Sequence, residues 1–273
     1  FISANVFYFS NANKLEKGIQ FERPFYSVYT KFAGGVSISQ TNEILTSPDT
    51  TILVPNTNKV NSDYWTAFGH TIGKSKLINR PGVRLIAALR YATVNYLERP
   101  SFDYDTLKLN QNNALYLASV GLSFRKYYKD QYIYRFGANE DIPEGLLFQL
   151  LHGYYQRELN GTWTYSGIES SYGKHFRKSG YLSAGVNFGS LYRVASKSNS
   201  TLKFNLMYFS NISLIKRWYV RQFINANYVK GFNKLPEETI ALQRNELFGF
   251  NNNGQTGTGK LIVNFSTVLY APY

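Results

Sequence analysis

The 273 residues fit one large domain or two small ones, and an apolar share of 44% excludes a disordered chain. Lys plus Arg number 30 against 17 Asp plus Glu, a formal charge of +13, which points toward an anionic surface or nucleic acid; Cys is absent, which excludes disulfides, thiolate metal centres and cysteine nucleophiles. Tyr 23, Phe 20 and Trp 3 bring aromatics to 17%, helix formers are scarce, and no apolar run reaches the ~18 residues of a membrane-spanning helix, so the composition is that of a β protein.

Period-two alternation recurs along the chain, bounded by Asn, Gly, Asp and Ser clusters. Strands are expected near 1–10, 16–24, 31–43, 63–73, 82–96, 113–127, 131–140, 145–157, 161–172, 179–192, 200–210, 216–230 and 258–271, with Lys129-Asp130 and Asn160-Gly161 as hairpin turns. Long polar loops are expected over 45–62, 97–112 and 231–257. The clearest strand sets Val83, Leu85, Ala87, Leu89 and Tyr91 against Arg84 and Arg90. Leu182, Ala184, Val186 and Phe188 similarly oppose Ser183, Gly185, Asn187 and Gly189, while Leu261, Val263, Phe265 and Leu269 oppose Asn264 and Ser266. A soluble sandwich buries a large aliphatic face and exposes a charged one. Here the polar face is rich in Gly, Ser and Asn with scattered Arg, which suits a wet lumen, and Tyr26, Tyr29, Tyr96, Tyr127, Tyr128, Tyr154, Tyr155, Tyr270 and Tyr273 cluster near strand ends, where membrane interfaces lie. The expected fold is all-β, an antiparallel transmembrane β-barrel of about 12–13 strands in this chain.

Motifs for chemistry are weak. Gly254 to Lys260 nearly spells a phosphate-binding loop, but Leu261 stands where Ser or Thr is needed and a strand follows where a helix is required. His70, His152 and His175 fall on separate elements without metal-ligand spacing, and no G-x-S-x-G occurs. Glu140, Asp141 and Glu144 cluster around Pro143 in an expected turn, where solvation is the simpler reading. Arg84, Arg90, Arg125, Arg135, Arg157 and Arg221 are candidates for an anion-selective lumen, or for ordinary ion pairs with Glu140, Glu158 or Glu169. The basic residues are spread over many strands, which disfavours nucleic acid. The chain is expected to be non-enzymatic, with no cofactor and no metal.

The last forty residues carry a resemblance. Gly231-Phe-Asn-Lys-Leu235 opens a long loop, Arg244-Asn-Glu-Leu247-Phe248-Gly249-Phe250 follows, and Thr258 to Tyr273 closes it. This resembles the loop of the BamA/TamA/FhaC superfamily of bacterial outer-membrane assembly and secretion barrels, which folds back into the lumen and carries a Val/Ile-Arg-Gly-Phe/Tyr tip. Lys17 to Tyr26 resembles the strand of such barrels that ends in an acidic-x-Pro-aromatic periplasmic turn, and 124–145 looks like a divergent surface-antigen barrel. Phe248 replaces the tip Arg, and Ser266 stands where many relatives have a lumenal Glu.

The resemblance implies a bacterial outer-membrane location and a role in protein assembly, insertion or translocation. The implied partners are outer-membrane lipid or lipopolysaccharide, client or partner outer-membrane proteins, and lipoproteins. It implies a lumen-loop tip at Leu247, Phe248, Gly249 and Phe250, docked on Asn264 and Ser266. It also implies a sixteen-stranded barrel with the loop after the eleventh strand, so 1–273 is expected to be an incomplete barrel domain lacking its last strands and an N-terminal soluble region. The alternatives are a barrel that anchors a patatin-like lipid hydrolase, or a passive channel.

Overall fold

A computed structural model describes the chain except residues 1, 27–29, 45–55, 74–81, 102, 104, 134, 194–197, 235–237, 243–245, 248–254 and 272–273. It is all-β, with no helix among the described residues. The first six strands are β1 (Ser3–Ser10), β2 (Lys14–Arg23), β3 (Phe32–Glu43), β4 (Thr57–Ile72), β5 (Val83–Glu98) and β6 (Asn113–Gln131). Next come β7 (Asn139–Arg157), β8 (Gly161–Phe176), β9 (Gly180–Tyr192) and β10 (Asn199–Phe209). The short β11 (Ser213–Ile215) precedes β12 (Trp218–Phe232); β13 (Ile240–Ala241) and β14 (Thr256–Gly257) pair within a loop, and β15 (Gly259–Tyr270) ends the series.

All pairing is antiparallel and follows chain order from β1 to β10, then β12 and β15, with β11 folded against the start of β12. The sheet remains open: among the described residues β1 pairs only with β2, and β15 only with β12. Eleven long strands precede the loop that β13 and β14 punctuate.

The register places every apolar series on one side. Leu89 and Leu85 lie beside Ala118 and Leu122, Val120 faces Leu150, Leu150 faces Ile168, Ile168 faces Phe188, and Phe188 faces Leu202. These side chains are exposed, Leu89 61% so, except the half-buried Leu202. On the other side Asn187, Asn205, Asn225 and Asn264 alternate with Ser, Gly and Lys, and a cavity of about 450 Å³ opens among Glu169, Ser171, Ser183 and the first three Asn. The total exposed area is 18248 Å² for 31.3 kDa. A water-soluble globular chain of that mass exposes roughly 12,000 Å². The fold has an apolar outside and a polar inside, the inverse of a soluble sandwich.

Three expectations are corrected. β4 begins at Thr57, inside the loop expected over 45–62. The strand expected at 131–140 is mostly the β6–β7 connection, and its last two residues, Asn139 and Glu140, begin β7, which continues without a break through the strand expected at 145–157. Lys129 and Asp130 sit in the ladder opposite Asp141 and Glu140, so the turn lies further on, where Tyr132 (φ 58°) and Gly137 (φ 65°) take left-handed conformations. Glu140, Asp141 and Glu144 are therefore ladder residues; Glu140 accepts the Arg135 and Ile133 amides, and Glu144 is buried and pairs with Lys126 at 2.9 Å.

The reason lies at Gly145. Between Gly145 and Arg157 the odd positions of β7 turn inward, whereas between Asn139 and Glu144 the even ones do, and β6 inverts its faces opposite, between Ser123 and Tyr128. Gly145 has φ 134°, and a Cβ there would stand 1.9 Å from the Phe124 carbonyl oxygen, so only glycine permits this kink. Beyond it the β6–β7 tip folds inward across one end of the sheet. Ile142 packs with Tyr181 and Phe209, all nearly inaccessible, and Tyr128, Met207 and Phe223 complete this cluster. Tyr270 on β15 donates to the Tyr132 carbonyl at 2.7 Å. Those elements are five strand spacings apart, ~24 Å in a flat sheet. The contact is made because the sheet curls.

Candidate functional site

The candidate site is the inner wall of β12 and β15 with the loop between them. Alternation turns Lys260, Ile262, Asn264, Ser266 and Val268 inward and Leu261, Val263, Phe265 and Leu269 outward, in register with inward Asn225 and Asn227 of β12. Where β12 ends, the Gly231 amide donates to the Thr258 carbonyl at 2.9 Å and Lys230 Nζ donates to Thr258 Oγ1 at 3.3 Å. The loop limbs then zip briefly: Ile240 and Ala241 pair with Gly257 and Thr256, and the Leu242 amide donates to the Gln255 carbonyl at 3.1 Å.

Lys260 ties this loop to the wall. Its Nζ lies 2.5 Å and 2.7 Å from the Glu246 carboxylate oxygens and 3.0 Å from the Ala241 carbonyl, and its side chain is only 15% exposed. Three donors of one ammonium are thus accounted for. A second tether holds the loop's first limb: Asn199 Nδ2 donates to Glu238, which pairs with Lys234 at 3.4 Å, and Asn233 donates to the Ser198 carbonyl at 3.3 Å. The loop thereby crosses from β12 to the edge of β10 as well as to β15.

Leu247 is half-buried beside this ion pair, and Asn264 and Ser266 face inward but are exposed. Phe248, Gly249 and Phe250 lie outside the described residues. Glu246 and Lys260 carry no motif signal: Lys260 stands out in the sequence only as the end of the phosphate-loop-like run, and in the fold it opens β15 with no helix after it.

The arginines divide. Arg90 pairs with Asp63 through two nitrogens, and Arg221 pairs with Asp130, so for these two arginines the partner is an aspartate. Arg84 donates to the Thr30 carbonyl and lies 4.2 Å above the Phe25 ring. Glu158 pairs with Arg99 instead. Tyr128 packs within the in-folded tip and Tyr270 on β15 packs against it, while Tyr26, Tyr127 and Tyr154 are exposed; Tyr29 and Tyr273 lie outside the described residues. His70, His152 and His175 stand on β4, β7 and β8, and no group of three metal-ligating side chains gathers among the described residues. Comparison with protein-family models, with curated proteins and with solved structures finds no match.

Proposed function

We propose that this chain is the barrel domain of a bacterial outer-membrane protein that assists the insertion or translocation of other proteins, without being an enzyme. One observation carries the reading: a long loop after the eleventh long strand returns along the polar inner wall and is pinned there by Glu246–Lys260. That is where the resemblance puts an inward loop. An apolar outer face supports a membrane setting, because a sheet in lipid must turn its side chains, not its backbone groups, outward.

Among the described residues β15 pairs on one side only, with β12, and the mechanism proposed is that a client strand in transit adds to such an edge by main-chain pairing. The pinned loop stiffens the first turn of this strand, holding the template straight. The absence of Cys makes the test clean. Single cysteines at Val263, Phe265 or Thr267, in vesicles with a partly folded outer-membrane client carrying one cysteine, should form register-specific disulfides with one client strand. Cross-linking without register, or none while the protein conducts ions at a steady level, would instead favour a passive channel. An anchor for a lipid hydrolase would show neither.

A further inference from the structure

Among the described residues, a hydrogen-bonded chain of three polar side chains crosses three strands of the outward face. His152 Nδ1 on β7 is 3.0 Å from Ser166 Oγ on β8, and that oxygen is 3.2 Å from Tyr192 Oη on β9. His152 and Ser166 are direct cross-strand partners. Their height on the sheet is informative. Along β7 the outward positions run Leu146, Phe148, Leu150 and then His152, Tyr154, Gln156; along β8 toward the same end they run Ile168 and then Ser166, Thr164, Thr162. The chain marks the level at which the apolar band gives way to polar residues, where headgroups and interfacial aromatics meet at a bilayer surface.

His152 also lines a groove of about 570 Å³ on this face, walled by Tyr64, Leu89, Tyr91, Tyr116 and Tyr154. The rings form a ladder over neighbouring strands, with Tyr91 and Tyr116 centroids 4.8 Å apart and Tyr64 and Tyr91 6.3 Å apart. A second outward groove of about 500 Å³, between Phe68, Leu85, Leu122 and Leu150, has His70 as its one polar side chain, level with Leu85 inside the apolar band and below the reach of headgroup carbonyls. Height therefore separates the two, and donor arithmetic says what the first can hold. If Ser166 donates to the imidazole, the far ring nitrogen keeps its N–H; if the imidazole donates to Ser166, a hydroxyl proton of Ser166 or Tyr192 is left. One donor is left over in either case, and away from water leaving it unmatched is costly.

We propose that this groove binds one acyl lipid of the surrounding membrane, with a chain lying between Leu89 and the tyrosines and an ester carbonyl accepting the spare donor of the His152–Ser166–Tyr192 chain. The proposal rests on the outward face lying in lipid. Its test uses the chain folded into diester phosphatidylethanolamine vesicles with a small share of phosphatidylcholine bearing a diazirine on one acyl chain, cross-links being mapped by mass spectrometry. Peptides carrying Leu89, Tyr91 and Tyr116 should label well above those carrying Leu122 and Leu150. Exchanging both lipids for diether analogues should lower that preference about five-fold, the factor carried by one net hydrogen bond. His152→Leu with Ser166→Ala should do the same, and Leu89→Trp, which fills the groove without touching the polar chain, should abolish it. Equal labelling of the two grooves, or the same preference for diester and diether lipid, would overturn the site while leaving the barrel intact. Absence of label even on Leu261 and Phe265 would overturn the membrane reading, and the site with it.

Discussion

Arg221 and Asp130, 91 residues apart, form a buried ion pair across the open end of the sheet. Arg221 Nη2 is 3.0 Å and 3.2 Å from the two Asp130 oxygens, the arginine is 1% exposed, and its guanidinium lies 5.2 Å from the Phe209 ring centroid. Asp130 reaches that position because the β6–β7 tip folds inward. The pair therefore reports whether the tip is docked.

Removing one member of such a pair strands the other. Asp130→Ala should destabilise the fold by ~3–5 kcal/mol in a urea titration, whereas Asp130→Leu with Arg221→Met should cost much less, because an apolar pair needs no solvation. Additive losses in that double-mutant cycle would show that the two side chains do not act together.

The hinge makes the next prediction. Gly145→Ala must adopt φ 134° or straighten β7, since its Cβ would stand 1.9 Å from the Phe124 carbonyl oxygen. The backbone conformation alone costs ~1–3 kcal/mol. The tip should swing out, raising protease cleavage at the half-buried Tyr132 and Ile133 above that of the parent protein; an unchanged digestion pattern would contradict the kink.

This hinge also marks where sequence reasoning stops. The strands around Leu85, Val186 and Val263 are recognisable because each keeps one parity from end to end, so apolar and polar sets separate by counting in twos. β6 and β7 change parity mid-strand, and a change of parity in a sequence looks the same as a break between strands. Tyr127 and Tyr128 are adjacent and alike in sequence, yet the first is exposed and the second stacks on His175 with centroids 4.4 Å apart. Only the curl of the sheet, which brings β12 and β15 to the tip, decides between them. Glu246 and Lys260 escape for a related reason: their pairing depends on how the loop turns back, and local pattern carries no trace of that.

Outward positions can be checked directly. Ala87 is exposed, flanked by Phe68 on β4 and Val120 on β6. Ala87→Leu should be tolerated, and Ala87→Arg should cost ~2–4 kcal/mol if this level lies in the membrane midplane. Equal unfolding midpoints for the two variants would mean that the face is in water.

Acid should loosen one loop selectively. In the β7–β8 turn, Glu158 binds Arg99 of the β5–β6 loop at 2.6 Å and 2.9 Å and accepts that loop's Asn112 amide at 3.1 Å, and these bonds hold its carboxyl below the ordinary range. A depressed folded pKa means that the stabilisation is complete above the unfolded value of about 4.3 and fades as pH falls through the lower folded value. Amide exchange at Asn112 should therefore rise only in that acid window, and Glu158→Gln should exchange fast at every pH. Salt should mimic part of the effect, since the carboxylate is solvent-exposed.

The loop tether gives the last test. Lys260 is 15% exposed and Glu246 27%, so their contact is shielded from water more than an ordinary surface pair. A hydrogen bond to a charged group is worth ~1.5–3 kcal/mol, so Glu246→Gln should release the loop by about that amount. Lys260→Met should be no milder, because it also loses the Ala241 carbonyl. The exchange Glu246→Lys with Lys260→Glu should recover the ion pair but not the Ala241 bond, since a carboxylate cannot donate to a carbonyl. Recovery should thus be partial, seen as protection of the Leu242 amide in hydrogen exchange. Phe248→Arg extends the same logic to the tip: Ser266 faces inward without charge, so the new cation should lower protection of the loop, and adding Ser266→Glu should restore some of it. If both double variants behave as the sum of their single changes, the loop is not held by the wall, and the pairing of Glu246 with Lys260 does not fix it.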